Sequence, residues 1–208
     1  METEFKYKLD DPMVFDSIVN DEELSSFLNK DAIEDIDMHA VYFDTEDEDL
    51  RKAGIAYRVR YENDRVTATI KWDISVEEGL HVREEFNLVI NDERFAENPD
   101  IEVFKSSDAY DVLHKAAGDK KLVKSVEMKF DRRLLKIDTG KSICALSVDQ
   151  GTIEGGDGIP VPVCELEIEW YYGDEDDFKA ISGRIAEKYH LETENESKLQ
   201  RAFSDKNC

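Results

Sequence analysis

The feature that most constrains this chain is a repeated alternation of charged and apolar side chains. In residues 2–9, Glu and Lys occupy the even positions, and Thr, Phe, Tyr and Leu occupy the odd ones. Successive side chains of a strand point to opposite faces, so this alternation predicts strands with one charged face and one apolar face. Together with the more apolar segments between them, the predicted strands are 2–9, 36–43, 55–62, 65–72, 80–90, 123–137, 142–149 and 160–171.

The charged faces differ from an ordinary solvated face. A single alternating strand is typical of any half-solvated antiparallel sheet. Here, however, the charged faces carry mostly long cations or carboxylates, and some strands are of one sign, such as 55–62 with its arginines and 160–171 with its glutamates. If eight such strands close into a barrel, the apolar faces can pack outward against helices and the charged faces can point inward. Such an interior has to be a hydrated, ion-filled tunnel, because burying an unpaired charge is very costly.

The rest of the chain reads as helices and turns around this barrel. Helical spacing predicts helices over 12–29, 106–117 and 174–190, with a short last helix over 196–204. Turns at 62–64 and 151–158 predict antiparallel hairpins. No repeat or Gly/Ser linker divides the chain. We therefore expect an α+β fold in a single domain spanning 1–208, in which an eight-stranded antiparallel β-barrel with a polar interior is flanked by helices.

The composition excludes several classes of partner. The 27 Lys and Arg residues against 50 Asp and Glu residues give a net charge of −23. This balance argues against broad nucleic-acid binding and against an anionic membrane surface, since both need clustered cations. The charged N-terminus and the lack of a long apolar run predict a soluble, cytoplasmic protein. Three widely spaced cysteines, Cys144, Cys164 and Cys208, suggest neither a disulfide framework nor a zinc site.

The predicted interior combines two kinds of charge. Its cations suit a polyanion, because Arg binds two phosphate oxygens at once and Lys adds a point charge. Its carboxylates suit hard divalent cations such as Mg²⁺ and Mn²⁺, which bridge protein oxygens to substrate phosphates. The inward-facing set is Lys6, Lys8, Arg58, Arg60, Lys71, Arg83 and Arg132 with Glu2, Glu4, Glu85, Asp149, Glu165, Glu167 and Glu169. Both kinds of charge together predict a metal-bound phosphate chain as the ligand.

The order of these motifs resembles a known family, the CYTH superfamily of triphosphate tunnel metalloenzymes. The resemblance spans nearly the whole chain and is greatest to the bacterial inorganic triphosphatase branch. It implies an eight-stranded tunnel that hydrolyses the terminal phosphoanhydride of tripolyphosphate with Mg²⁺ or Mn²⁺. The matching segments are Glu2-x-Glu4-x-Lys6, Tyr42-Phe43-Asp44-Thr45, Arg58-x-Arg60, Lys71, Arg83-x-Glu85, Phe130-x-Arg132, Asp149-Gln150-Gly151, Glu165-x-Glu167 and Ser197-Lys198.

This resemblance also implies roles for individual residues. Glu2, Glu4 and Lys6 are the candidate catalytic residues. The candidate metal ligands are Glu2, Glu4, Asp149, Glu165, Glu167 and Glu169. The candidate triphosphate-binding residues are Lys8, Arg58, Arg60, Lys71, Arg83, Glu85, Arg132, Lys198 and Arg201. Two positions depart from the family pattern: Asn87 stands where many relatives have a second Glu, and Phe130 stands where many have a Lys.

Other functions remain open at this point. The same tunnel could serve a class IV adenylyl cyclase, or a triphosphatase acting on thiamine triphosphate or nucleoside triphosphates. A different class is a module that binds polyphosphate without turnover, although its ligand would not need so many carboxylates. The sequence decides neither the preferred triphosphate, nor one or two metal ions, nor a monomer against a homodimer.

Overall fold

The chain forms a closed antiparallel β-barrel, seen in a computed structural model that describes residues 1–154 and 159–204, apart from the side chains of Asp73 and Glu93. The order around the barrel is β5-β4-β3-β2-β6-β7-β8-β1, and β1 pairs with β5 to close it. A short β9 adds to β1. The strands are β1 (Glu2–Lys8), β2 (Glu34–Thr45), β3 (Ala56–Glu62), β4 (Arg65–Glu77), β5 (Leu80–Ile90), β6 (Leu122–Asp138), β7 (Ser142–Glu154), β8 (Pro160–Gly173) and β9 (Glu192–Thr193). The predicted α+β fold with an eight-stranded antiparallel barrel is confirmed.

Helices cover parts of the outer surface of the barrel. The longest, α4, begins after Asp174, whose carboxylate accepts hydrogen bonds from the N–H groups of Asp176 and Asp177. No helix among the described residues is long and apolar enough to span a membrane. The α-helices are α1 (Val14–Val19), α2 (Asp49–Lys52), α3 (Asp108–Ala117), α4 (Glu175–Tyr189) and α5 (Lys198–Arg201), and three 3-10 helices span Lys30–Ala32, Glu93–Glu97 and Ile101–Phe104.

Two apolar clusters lie between the barrel and these helices. One packs α1 and α4 against β1, β6, β7 and β8 and contains Phe15 and Phe178. The other packs α3 against β2, β3 and β4 and contains Tyr57 and Leu113. Full burial of such side chains contributes roughly 1.5–3 kcal/mol each. The apolar faces of β1, β3, β4 and β8 thus point outward, so that their charged faces point inward.

Several sequence-based boundaries need correction. The predicted helix over 12–29 is wrong beyond Val19, because the carboxylate of Asp21 accepts hydrogen bonds from the N–H groups of Glu23 and Leu24 and forms a turn there. The predicted turn at 151–158 begins later, since β7 continues to Glu154, and residues 155–158 lie outside the described residues. Cys144 and Cys164 are free thiols, as expected, whereas Cys208 lies outside the described residues.

Candidate active site

A cavity of about 630 Å³ lies inside the barrel and has two chemically different walls. The first, here called the charged wall, comes from β1, β3, β4, β5 and β8, together with Arg132 of β6. The second, the apolar wall, comes from β2, β6 and α5. The charged wall consists of Glu2, Glu4, Lys6, Arg58, Arg60, Lys71, Arg83, Glu85, Arg132, Glu167 and Glu169, and the apolar wall consists of Ile36, Met38, Ala40, Tyr42, Met128, Phe130, Leu134, Leu199 and Phe203.

Strand register brings the charged side chains together. On β1 and β8, Glu4 lies opposite Glu169 and Lys6 lies opposite Glu167. On the other side of β1, Glu2 lies opposite Arg83 of β5. Directly opposed residues of an antiparallel pair have Cβ atoms about 4.5–5.5 Å apart. Side chains more than 60 residues apart in the sequence therefore share one face of the sheet.

Glu2, Glu4 and Lys6 are tied into the charged wall by ion pairs. A Glu2 carboxylate oxygen lies 2.7 Å from the Lys71 Nζ, and the same carboxylate accepts a hydrogen bond from the guanidinium of Arg83. The Arg83 side chain also donates to Glu4, which lies 3.1 Å from the Lys6 Nζ. The three candidate catalytic residues therefore belong to one buried network, which fixes their positions relative to one another.

A second network lies deeper and joins the barrel to α5. Arg132 donates two hydrogen bonds to Asp149, at 2.6 and 2.7 Å, and a third to Glu167 at 2.5 Å. The Lys198 Nζ lies 2.7 Å from Asp149 and 3.0 Å from Glu167. Glu165, which is fully buried, pairs with both Lys198 and Arg201 of α5. Each charged side chain of this network is therefore paired with at least one group of opposite charge.

Arg58 and Arg60 are the cations whose bonding capacity is least used. The Nε and Nη2 atoms of Arg58 are buried, and neither has a hydrogen-bond partner in the described part of the chain. Arg60 pairs with Glu62 at 3.0 Å, but its buried Nε also lacks a partner. A buried donor without a partner costs roughly 1–3 kcal/mol. These two guanidinium groups would therefore gain most from an anion in the cavity.

Electrostatics differ along the charged wall. Burial alone would raise the pKa of Glu167, but Lys198, Lys6 and Arg132 hold that pKa well below its usual value. Glu169 has the opposite shift, because burial and then the charge of Glu2 raise its pKa to about 7. Burial, with the nearby charge of Arg58, lowers the pKa of Arg60 to about 10. At Glu169, burial and the charge of Glu2 thus outweigh the nearby charges of Lys71 and Arg132.

The carboxylates of the charged wall fit a divalent metal ion. Oxygen atoms of Asp149, Glu165 and Glu167 lie within 4.8 Å of one another, although the Lys198 ammonium already pairs with all three. Glu169 makes no direct hydrogen bond or ion pair among the described residues, and it lies beside Glu4 in the sheet. Clustered carboxylate oxygens are a donor set that Mg²⁺ and Mn²⁺ accept.

Most of the predicted site residues face this cavity. Asp149, Glu165 and Arg201 lie behind its lining: Asp149 and Glu165 bond to the lining residues Arg132 and Lys198, and Arg201 pairs with Glu165. The prediction that Lys8 points inward is wrong. Its side chain is about half exposed and pairs with Glu192 at 3.5 Å, because β9 adds to β1 at this position and draws the Lys8 side chain out of the barrel. Asn87 lines the cavity and hydrogen-bonds to Thr69 and Glu85.

Sequence analysis missed several residues of the cavity lining. Arg65 shares its parity on β4 with Lys71, so the same argument could have found it. Met128 shares its parity on β6 with Arg132, so the same argument could have found it as well. Arg51 lies on the short α2 with its guanidinium 4.7 Å from the ring centre of Phe203, and no pattern in the sequence points to it.

Solved structures with the same fold include proteins that act on triphosphates. The Hippeastrum protein HpAC1, an adenylyl cyclase candidate with a dominant triphosphatase activity, is 19% identical, with a TM-score of 0.72 over 100% of this chain and 98% of that chain. An adenylate cyclase candidate from Bacillus halodurans is 20% identical, with a TM-score of 0.60 over 98% of each chain. The Mimivirus capping enzyme triphosphatase is 14% identical, with a TM-score of 0.51 over 88% of this chain and 87% of that chain.

At these identities the likeness establishes the shared fold. A family model gives the membership directly, since the CYTH domain matches residues 1–203 of this chain. The match includes every strand of the barrel and the short helix α5. With its closed barrel, its charged wall and this match over nearly its full length, the chain belongs to the CYTH domain family.

Proposed function

We propose that this protein is a metal-dependent inorganic triphosphatase that hydrolyses the terminal phosphoanhydride of tripolyphosphate inside the barrel. The observation that carries the proposal is the Arg58 guanidinium, which is buried beside the cavity, with no hydrogen-bond partner for its Nε and Nη2 among the described residues. An anion with several oxygens would satisfy these donors, as well as the Nε of Arg60. The triphosphatase activity of HpAC1 supports the same reaction class.

The cations of the charged wall bind the phosphate chain. Arg58 and Arg60 lie two residues apart on β3, so they follow the wall in the strand direction at about 6.6 Å spacing. Lys71, Arg83 and Arg132 complete the set from the neighbouring strands, and Lys198 and Arg201 contribute from α5. Phosphoryl transfer depends mainly on positioning and on neutralising charge on the non-bridging oxygens, which such a set of cations provides.

The carboxylates would hold the metal ion. Glu2, Glu4, Glu167 and Glu169 are the candidate ligands that line the cavity, with Asp149 and Glu165 behind them. When bound, Mg²⁺ or Mn²⁺ neutralises phosphate charge and lowers the pKa of a water molecule. Glu2 and Glu4 orient the attacking water, and Lys6 donates to an oxygen of the phosphate that is cleaved. The products are one phosphate and one diphosphate.

The test is phosphate release from tripolyphosphate by the purified protein. We expect release with Mg²⁺ or Mn²⁺, none with EDTA, and a loss of at least about 100-fold in Glu4→Gln, since removal of a single group that stabilises the transition state costs about that much. Glu84→Gln, on the outer side of β5 with its side chain 47% exposed, is the matched control and should keep full activity. Wild-type protein without metal-dependent release, or a Glu4→Gln variant as active as wild type, would contradict the proposal.

A second candidate uses the same tunnel with an organic triphosphate. The apolar wall favours it, because Tyr42, Phe130 and Leu134 could pack against a nucleoside or thiamine group. Such a protein would be a nucleoside or thiamine triphosphatase or a class IV adenylyl cyclase. A panel of tripolyphosphate, ATP, thiamine triphosphate and pyrophosphate separates these activities. Cyclic AMP from ATP would identify a cyclase, and tight tripolyphosphate binding without any product would identify a binding module.

A further inference from the structure

The segment between α4 and α5, residues 192–197, is here called the strap. It is held to the barrel by a closed ring of hydrogen bonds that includes the backbone of Lys6. The N–H of Lys6 donates to the carbonyl of Gly79 at 2.9 Å, and its carbonyl accepts from the N–H of Glu194 at 2.8 Å. The N–H of Gly79 donates to the Asn195 Oδ1 at 2.8 Å, which closes the ring. The strap and the β4–β5 turn are therefore both fixed to the strand that carries Lys6.

His81 adds a fourth bond to this ring. Its Nε2 lies 2.8 Å from the carbonyl oxygen of Glu194 and must donate to it, since a carbonyl only accepts. The side chain is 1% exposed, and its Nδ1 has no partner among the described residues. Among the described residues, the bond to Glu194 is therefore the one hydrogen bond of the His81 imidazole. It fixes the strap at the residue that precedes Asn195.

The ring positions the residues that enter the site from α5. Glu194 is buried, and its carboxylate lies 3.8 Å from the Arg201 Nη1. Ser197 then caps α5, with its side chain accepting from the N–H of Gln200. The next residue, Lys198, already reaches Asp149 and Glu167. A short helix of four residues has little stability of its own. Its placement therefore depends on the strap.

We propose that Asn195 and His81 are positioning residues: they hold the strap so that Lys198 reaches Glu167, the carboxylate that also pairs with Lys6, and so that Arg201 reaches Glu165. Neither side chain lines the cavity, so each acts through α5. The kinetic consequence of this inference rests on the proposed triphosphatase function. The placement of α5 by the strap does not depend on that function. Gly79 is a required partner, because a Cβ there would lie 2.9 Å from the Thr193 Cβ and 3.0 Å from the Lys6 carbonyl oxygen, at a φ of +80°.

Hydrogen–deuterium exchange of the intact protein tests the structural part. Asn195→Ala removes the acceptor and His81→Leu removes the donor, whereas Asn195→Asp and His81→Gln keep them as matched controls. A lost hydrogen bond of ordinary strength predicts about two- to tenfold faster exchange over 192–201 in the first two variants. The controls should exchange as wild type, and exchange over β8 should not change. Unchanged exchange in the strap, or faster exchange throughout the barrel, would overturn the proposal.

Steady-state kinetics with tripolyphosphate test the functional part. We expect Asn195→Ala to raise KM about two- to tenfold with a smaller change in kcat. In a Lys198→Met, Arg201→Met background the same substitution should have no further effect, because the groups that it positions are gone. Full multiplication of the effects in the triple variant would overturn the positioning role. If wild type releases no phosphate, the triphosphatase proposal fails while the exchange result still decides the role of the strap.

Discussion

The charged wall and the apolar wall face the same cavity but serve opposite needs of the molecule. The charged wall holds eleven ionisable side chains, and buried ion pairs of this kind add little net stability because of their desolvation cost. The apolar wall packs Met38 and Met128, each only 1% exposed, and its burial stabilises the fold directly. The ligand-binding half of the interior therefore depends on the other half for its stability.

The two walls are separate because of strand order. β2 and β6 are neighbours in the barrel, and Ala40 of β2 lies opposite Met128 of β6. On β3, the other neighbour of β2, the inward side chains change to Arg58 and Arg60. The border is an aromatic one, since the Arg58 guanidinium lies 6.0 Å from the ring centre of Tyr42 and the Lys198 Nζ lies 5.1 Å from that of Phe130.

The largest expected effect of a single change comes from the charged wall. Arg58→Met should lower kcat/KM for tripolyphosphate by about 10²–10³-fold, as for the loss of one charge-stabilising donor. It should not lower the free energy of unfolding, because the substitution also removes two buried nitrogens that lack partners. Phosphate-release kinetics and urea unfolding measure the two quantities. Arg94→Met, at a side chain that is 81% exposed, is the control. An Arg58→Met variant that is less stable but as active as wild type would show that Arg58 supports the fold and does not bind substrate.

The apolar wall should show the opposite pattern. Met128→Ala removes buried apolar contacts from the cluster that includes Met38 and Ile153, and should lower the free energy of unfolding by about 2–5 kcal/mol. Its kcat/KM should change by less than about tenfold, since the residue provides no charge. Urea unfolding and steady-state kinetics test this, with Met128→Leu as a volume-conserving control that should cost under about 1.5 kcal/mol. A Met128→Ala variant as stable as wild type would show that this wall does not support the barrel.

The stability of the metal-free protein should depend on pH through the charged wall. The pKa values of Glu167 in the charged wall and of Asp149 behind it lie below their ordinary values of 4.5 and 3.8, so the stability they provide is present above those ordinary values and is lost as pH falls below them through the lowered pKa values. Glu169, with its pKa raised to about 7, binds an extra proton in the folded state between about pH 4.5 and 7, so stability falls as pH rises across that window. The free energy of unfolding, measured by urea unfolding in EDTA, should therefore fall on both sides of a maximum: an acid arm at low pH and an upper arm between about pH 4.5 and 7.

Glu169→Gln isolates the upper arm of this profile. It removes the titrating group and should flatten the fall between about pH 4.5 and 7 while leaving the acid arm in place. Glu175→Gln, at an exposed residue of α4, is the control and should leave both arms unchanged. An upper arm that persists in Glu169→Gln would assign the effect to another group.

The smallest expected effect lies where the walls meet. The Lys198 Nζ lies 5.1 Å and the Arg132 Cζ lies 5.9 Å from the ring centre of Phe130. Phe130→Leu should raise KM for tripolyphosphate about two- to fivefold, as for the loss of a cation–π contact of about 0.5–1 kcal/mol. Phe130→Tyr keeps the ring and should retain the wild-type KM. Equal KM values in all three proteins would mean that the ring does not help to place these cations.

The sequence was enough to predict the barrel and most of the charged wall. On β1, β3 and β8 the charged and apolar faces contrast clearly, so parity alone placed Glu4, Arg58 and Glu167. The apolar wall was not predicted because β2 is apolar on both faces: Val41 and Phe43 pack outward, while Ala40 and Tyr42 pack inward. With no contrast between its faces, alternation carries no information about which side points into the barrel.

Other features depend on contacts that no local pattern encodes. Lys8 has the inward parity of Lys6, but its neighbour β9 comes from a segment 184 residues later in the chain. The turn made by Asp21 ends a region whose apolar spacing suits a longer helix, because local hydrogen bonding by the carboxylate competes with helix formation. The unpartnered nitrogens of Arg58 likewise become visible only once the whole barrel is assembled.

Calorimetric binding of tripolyphosphate in EDTA tests directly whether the charged wall binds the phosphate chain. In EDTA, no metal-dependent turnover contributes to the measured heats. If the charged wall holds the phosphate chain, wild type and Met128→Leu should bind one tripolyphosphate per chain with similar affinity. Arg58→Met should bind at least about tenfold more weakly, as for the loss of one charge-assisted hydrogen bond. Wild type that does not bind, or Arg58→Met that binds as tightly as wild type, would contradict the account.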